Sequence, residues 1–153
     1  MNDLSKEKVC YIQSCWHQNI VDELKESCLA TLMNEGISQS NIDIVNVPGA
    51  LEIPLQAKLR AETGRYSIII VAGLIIDGGI YRHEFVADAI IKAIMDVQLD
   101  TRVPMIHSIM TPLQFHESGE HEAFFLKHFV MKGKEAANAC LQTLHNCREV
   151  AAL

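Results

Sequence analysis

These 153 residues contain no basic stretch, no nucleotide-binding glycine pattern and no long apolar run, and each absence removes a class of function. The formal charge of −6 leaves nothing to neutralise a row of phosphates, so nucleic acid is excluded as the main partner, although one local pocket of donors could still hold a small anion. The longest apolar run, residues 67–76, is about half of what a membrane span requires. The first eight residues, Met1 to Lys8, have no apolar core and do not read as a signal peptide. GxGxxG, the P-loop and HExxH are all missing. The cysteines (Cys10, Cys15, Cys28, Cys140 and Cys147) are odd in number and have no CxxC spacing, and three of them, Cys10, Cys28 and Cys140, sit in apolar patterns. Free thiols in a reducing cytoplasm are therefore expected rather than a disulfide framework.

What is present is ordinary for a folded α/β protein: 49% hydrophobic and 21% charged residues, long enough for one domain over 1–153 and without repeats or low-complexity tracts. Residues 8–14 read as a first strand. From Gln18 the spacing turns helical, with Ile20, Leu24, Cys28 and Leu32 at every fourth position until Gly36. Residues 41–47 alternate polar and apolar and read as a strand. A turn at 47–50 leads to a helix over about 52–63, where Pro54 is tolerated because the first turn has no amide partner to lose. Residues 67–76, rich in β-branched side chains, predict a strand buried on both faces. A long helix over about 83–100, a strand over 103–110, a poorly patterned helical segment over 116–128 and a last helix over 132–149 complete the chain. Strands alternating with helices predict a parallel sheet covered on both sides: a three-layer αβα sandwich around four parallel strands, flavodoxin-like.

Ligands in such folds sit outside the carboxyl ends of the strands, which directs attention to residues 14–17, 47–52, 74–83 and 107–112. Asp77-Gly78-Gly79 just before a helix start could cradle an anion on backbone amides, although a Gly-Gly turn after a strand is often only a turn. Beside it, Arg82 supplies a permanent charged fork and His83 a group that exchanges protons near neutral pH; a solvated helix start would account for them equally well. Trp16, the single tryptophan, follows the first strand and could stack a planar heterocycle or serve the core. Glu52 could accept hydrogen bonds from sugar hydroxyls or cap its helix. His107, inside an apolar strand, reads first as a core histidine. His116, His121 and His128 with Glu117, Glu120 and Glu122 lack the i, i+4 spacing of a zinc helix, so no metal is expected.

Taken together, several blocks resemble the lumazine synthase family over nearly the whole chain. Val47-Pro48-Gly49-Ala50-Leu51-Glu52-Ile53-Pro54 is similar to its VPGAxEIP block, and residues 62–66, 72–76 and Lys132-Gly133 with Glu135-Ala136-Ala137 follow in order. The resemblance implies a cofactor-free transferase of riboflavin biosynthesis. Such an enzyme condenses 5-amino-6-(D-ribitylamino)uracil with 3,4-dihydroxy-2-butanone 4-phosphate, with loss of phosphate and water. It further implies that Trp16 stacks on the uracil and that Ala50, Leu51 and Glu52 hold the ribityl chain. Leu74, Ile75 and Ile76 would meet the pyrimidine edge, and Gly79 and Ile80 would offer amides to the phosphate. His107 and Lys132 would belong to a wall contributed by a neighbouring subunit, so the resemblance also implies rings of five.

The chain departs from the family's usual RGxTPHFDYV run, which here reads Asp77-Gly78-Gly79-Ile80-Tyr81-Arg82-His83-Glu84-Phe85-Val86. Ungapped alignment puts Arg82 where the proton-transferring histidine belongs and His83 one residue later, about 100° around a helix. Arg82 can hold phosphate but cannot act as a base. The usual phosphate-binding arginine before the last helix has no direct counterpart; His128 and Lys127 are its nearest replacements, with His128 preferred. These departures resemble a second bacterial type of lumazine synthase that tends to form two stacked pentamers. They leave a second reading open, a flavin- or lumazine-binding paralogue that has lost the chemistry, and a third, a flavodoxin-like module for some phosphorylated metabolite.

Overall fold

The computed structural model describes residues 3–113, 115 and 118–153. Four strands, β1 (Val9–Ser14), β2 (Ile42–Val47), β3 (Ile68–Leu74) and β4 (Met105–Met110), form one all-parallel sheet in the order β2-β1-β3-β4. Helices α1 (Gln18–Asn34) and α4 (Gly119–Ala151) cover one face, and α2 (Ile53–Ala61) and α3 (His83–Thr101) cover the other. The expected three-layer sandwich is thus present. Every residue of β1 and β3 is buried, as expected for central strands with helices on both faces.

Most element ends fall within a residue or two of those read from the sequence, and two differences have physical causes. Residues 50–52 form a separate 3₁₀ turn ahead of α2, so Pro54 occupies the first turn of a helix that begins at Ile53. The two helical segments expected at 116–128 and 132–149 are one continuous helix of 33 residues. Gly133 does not break it. A Cβ on Gly133 would stand 2.7 Å from the Ser27 Cβ and 2.9 Å from the Cys28 amide nitrogen, so the glycine is the point where α4 touches the backbone of α1. Ser27 Oγ donates to the Val130 carbonyl at 2.6 Å beside this crossing. Phe125, Phe129, Ala136, Ala137, Cys140 and Leu144 continue the buried stripe along α4. Burial pushes the Cys28 and Cys140 thiols up to about 12, keeping them as neutral core groups.

A polar chain running outward from the core fixes the start of α1. Tyr11 Oη donates to Gln13 Oε1 at 3.1 Å, and Gln13 Nε2 donates to Asp22 Oδ1 at 2.7 Å. Tyr11 and Gln13 alternate onto the same face of β1, under the first turns of α1. At the opposite end of the sheet, Arg148 Nε donates to Glu7 Oε1 at 2.8 Å and ties the end of α4 to the segment before β1.

Replacing Gly133 by alanine should force α1 and α4 apart. Unfolding free energy measured by denaturant titration should fall by about 1–3 kcal/mol, the usual cost of overpacking a tight core. An unchanged midpoint would mean that the helix contact is not close.

Candidate functional site

The strand order sets the position of the cleft. After β1 the chain turns into α1 on one face of the sheet, and after β3, its neighbour, it travels to α3 on the other, so a crevice opens between their carboxyl ends. A cleft of about 360 Å³ lies there. Trp16 and His17 form one wall; Leu74, Ile75 and Ile76 form the floor; Gly78, Ile80, Tyr81, Arg82, His83 and Val86 form the other wall. Seven residues read from the sequence as site candidates therefore meet: Trp16, Leu74, Ile75, Ile76, Ile80, Arg82 and His83.

Trp16 is 40% exposed, and the reason its indole stands where it does is Gly49. A Cβ on Gly49 would come 2.5 Å from Trp16 Cζ2, so the ring lies directly on the glycine backbone and presents its other side outward. This gives the Val47–Pro54 block a task the sequence did not disclose. In the same turn Glu52 Oε2 accepts the Gly49 amide at 2.9 Å, so Glu52 braces the Trp16 platform with one carboxylate oxygen. Ala50 is buried and Leu51 is exposed beside it; neither these two nor Glu52 line the cleft itself.

The second wall is built around the start of α3. Arg82 occupies the cap position of that helix without a side-chain capping bond, and its guanidinium lies 5.8 Å from the centre of the Phe85 ring. A cation at the positive end of a helix dipole is electrostatically misplaced unless an anion joins it. His83, the first residue of α3, has side-chain exposure of 16%, and its Nδ1 stands 3.7 Å from Glu84. Ile80 and Tyr81 are 82% and 86% exposed, large apolar side chains left in the open at the cleft mouth.

The Gly79 amide, expected to face a phosphate, donates at 2.8 Å to Asp77 Oδ1 within its own loop. An incoming anion would compete with that carboxylate for the same N–H.

The remaining candidates lie elsewhere in the chain. His107 is half-buried on β4, its Nε2 is buried with no hydrogen-bond partner among the described residues, and burial pushes the imidazole below its ordinary value. His128 stacks on Phe124 at 5.5 Å on α4, and Lys132 pairs with Glu135 at 2.9 Å. Of the acidic and histidine cluster considered for metal, His116 and Glu117 lie outside the described residues; among the described residues no three His, Cys, Asp or Glu side chains converge. His17 was not singled out by sequence reasoning although it lies in the window after β1. Its prominence comes from a left-handed backbone (φ 51°, ψ 48°), which no local residue pattern announces.

Asp77→Asn keeps an acceptor for the Gly79 amide and removes the charge. If anions bind this loop, calorimetric titration with inorganic phosphate should show binding about three- to ten-fold tighter, from the lost like-charge repulsion. Unchanged affinity would take the loop out of anion binding.

Comparison with known proteins gives a consistent result. The sequence profile of the family described as 6,7-dimethyl-8-ribityllumazine synthase matches residues 6–148. The 6,7-dimethyl-8-ribityllumazine synthase 2 of Pseudomonas syringae pv. tomato is 50% identical over 144 residues, 94% of this chain and 85% of that protein. The protein of the same name from Bradyrhizobium diazoefficiens is 49% identical over 90% of this chain and 82% of its own length. The 6,7-dimethyl-8-ribityllumazine synthase of Rhodococcus erythropolis is 45% identical over 97% of this chain and 96% of its own length.

Proposed function

This chain belongs to the 6,7-dimethyl-8-ribityllumazine synthase family, and we propose that its cleft is where 5-amino-6-(D-ribitylamino)uracil condenses with 3,4-dihydroxy-2-butanone 4-phosphate. The protein is a transferase of riboflavin biosynthesis acting on small molecules. The observation that carries the cleft assignment is the pairing of an indole platform, Trp16 on Gly49, with a cationic helix start, Arg82 and His83, across one crevice. One side suits a flat heterocycle, the other a phosphate.

In this reading the uracil stacks on Trp16 with its edge against Leu74, Ile75 and Ile76. Its ribityl hydroxyls run toward Ala50, Leu51 and the free oxygen of Glu52. The phosphate of the second substrate approaches Arg82 and the Gly79 and Ile80 amides, displacing Asp77 from its loop contact. His83 exchanges protons beside it. Amine and ketone form an imine, phosphate departs by elimination, and ring closure releases water. Holding the two partners together supplies much of the acceleration, and the chemistry requires no covalent attachment to the protein.

The outer face of α2 and α3 supports a ring of subunits. Leu55, Leu59, Met95 and Leu99 are exposed there, large apolar side chains that a neighbouring subunit would cover. In a pentamer, or two stacked pentamers, His107, His128 and Lys132 would complete a neighbouring subunit's site. No helix among the described residues is long and apolar enough to cross a membrane. We assign the protein to a reducing cytoplasm on its free cysteines, Cys10, Cys15, Cys28, Cys140 and Cys147.

Purified protein mixed with both substrates should produce lumazine fluorescence faster than a protein-free control. Trp16→Ala should raise KM for the uracil substrate roughly ten-fold, the scale of losing one aromatic stacking partner, and leave KM for the phosphate substrate nearly unchanged. Absence of acceleration from a folded, assembled protein would favour the ligand-binding paralogue, for which the replacement of a base by Arg82 is the motive.

A further inference from the structure

We propose that His17 is a second proton-transfer residue, serving the amine–carbonyl condensation at the Trp16 side of the cleft; the inference rests on the cleft being the synthase site. His17 and His83 stand in opposite walls, one on the chain leaving β1 and the other on the chain entering α3. They are not equivalent. The Nδ1 of His83 faces the Glu84 carboxylate, whereas the half-buried His17 imidazole makes no hydrogen bond or ion pair among the described residues. His17 stands at the cap position of α1 but its side chain caps nothing, so a structural duty at the helix start does not explain it.

Its backbone is held in the left-handed region, a conformation that costs a side-chain-bearing residue of order 1–3 kcal/mol and persists only where the surroundings impose it. The imposition is visible. The His17 carbonyl accepts the Ile20 and Val21 amides at 3.0 and 3.2 Å, and the Gln13–Asp22 bond clamps the next turn. The ring is braced by Phe115, centroid to centroid 5.3 Å, an apolar contact that fixes its plane without occupying either nitrogen. Charged and titratable groups around this turn include Arg82 and His83 across the cleft, Asp22 on α1, and on α4 His121, edge-on to Phe125, and Glu122, which accepts from Asn19 Nδ2 at 2.6 Å.

The chemistry assigned to Trp16's side of the cleft calls for such a group. When the amine nitrogen of the uracil attacks the ketone carbon, a C–N bond forms and the carbonyl π pair moves to oxygen. One proton must then pass from nitrogen to oxygen, giving the carbinolamine. In the dehydration that follows, the remaining N–H proton passes to the hydroxyl, the C–O bond breaks, water leaves, and the nitrogen pair closes the C=N bond. In both steps one proton moves from nitrogen to oxygen. Neutral imidazole accepts it and returns it, ending each step as it began. Adjacent to the stacking residue, His17 is on the uracil side of the reaction, while Arg82 and His83 attend the phosphate end.

Asparagine accepts left-handed backbone and glycine accepts it freely, so His17→Asn and His17→Gly keep the turn and remove the imidazole. Both should lower kcat roughly 100-fold with little change in KM for either substrate, and should lose the rising limb of the pH profile that a neutral base produces. Added imidazole should restore rate to His17→Gly. A folded His17→Asn with wild-type kcat, or a loss confined to KM with the pH profile unaltered, would overturn the proposal. Wild-type protein that fails to turn over would instead sink the site assignment itself, so the two failures are distinguishable.

Discussion

Two adjacent parallel strands that release their chains to opposite faces of one sheet impose the geometry on which the rest of the molecule depends. β1 and β3 are hydrogen-bonded neighbours from Val9↔Ile68 to Gln13↔Ala72, so their ends cannot separate; the helices that follow them must. The crevice is thus a product of connectivity, rigid because both of its roots are fully buried strands. It also divides labour. The wall after β1 contributes two aromatic rings, Trp16 and His17, and the wall before α3 contributes Arg82 with its permanent charge. A reaction joining a flat heterocycle to a phosphorylated ketone needs that asymmetry.

Rigid strands alone do not fix a side chain on a loop, and the local supports are different on the two sides. Behind Trp16 stands a glycine whose missing side chain is the seat of the indole, itself held by the Glu52 carboxylate. One turn beyond His17 ends the Tyr11–Gln13–Asp22 chain, where burial holds the Tyr11 phenol far above its ordinary value and so keeps it a donor. Buried polar chains of this kind are costly unless fully paired, and each bond in this one is made. The loop over residues 75–82 has lighter anchoring, chiefly the Ile75 amide on the Met110 carbonyl and the Asp77–Gly79 contact. Adaptation to different ligand states is therefore expected on that side, with the Trp16 wall as the fixed reference.

The layering and the all-parallel sheet were legible in the sequence because they follow from period and punctuation: the β-branched run at 67–76, the four-residue repeat from Ile20 to Leu32, and glycines after helices. The resemblance carried by the Val47–Pro54 block supplied the activity. The continuity of α4 was not legible, since residues 116–128 carry no clear apolar stripe, and the reason a glycine stands inside the helix at 133 is the backbone of α1, more than 100 positions away in the chain. His17 was hidden for a similar reason: backbone handedness is decided by what packs around the turn. Gly79 shows the opposite limit, because the residue pattern suggested an open amide while the neighbouring Asp77 already accepts from it.

The chain has one tryptophan, and it is the platform of the cleft. Indole emission from this protein therefore comes from a single address, with no background from the core or the helix faces. A planar ring laid on Trp16 would alter the intensity and wavelength of all of it. The proposed site thus carries its own optical label, and occupancy of its Trp16 side can be followed in the unmodified protein separately from anything that happens beside Arg82.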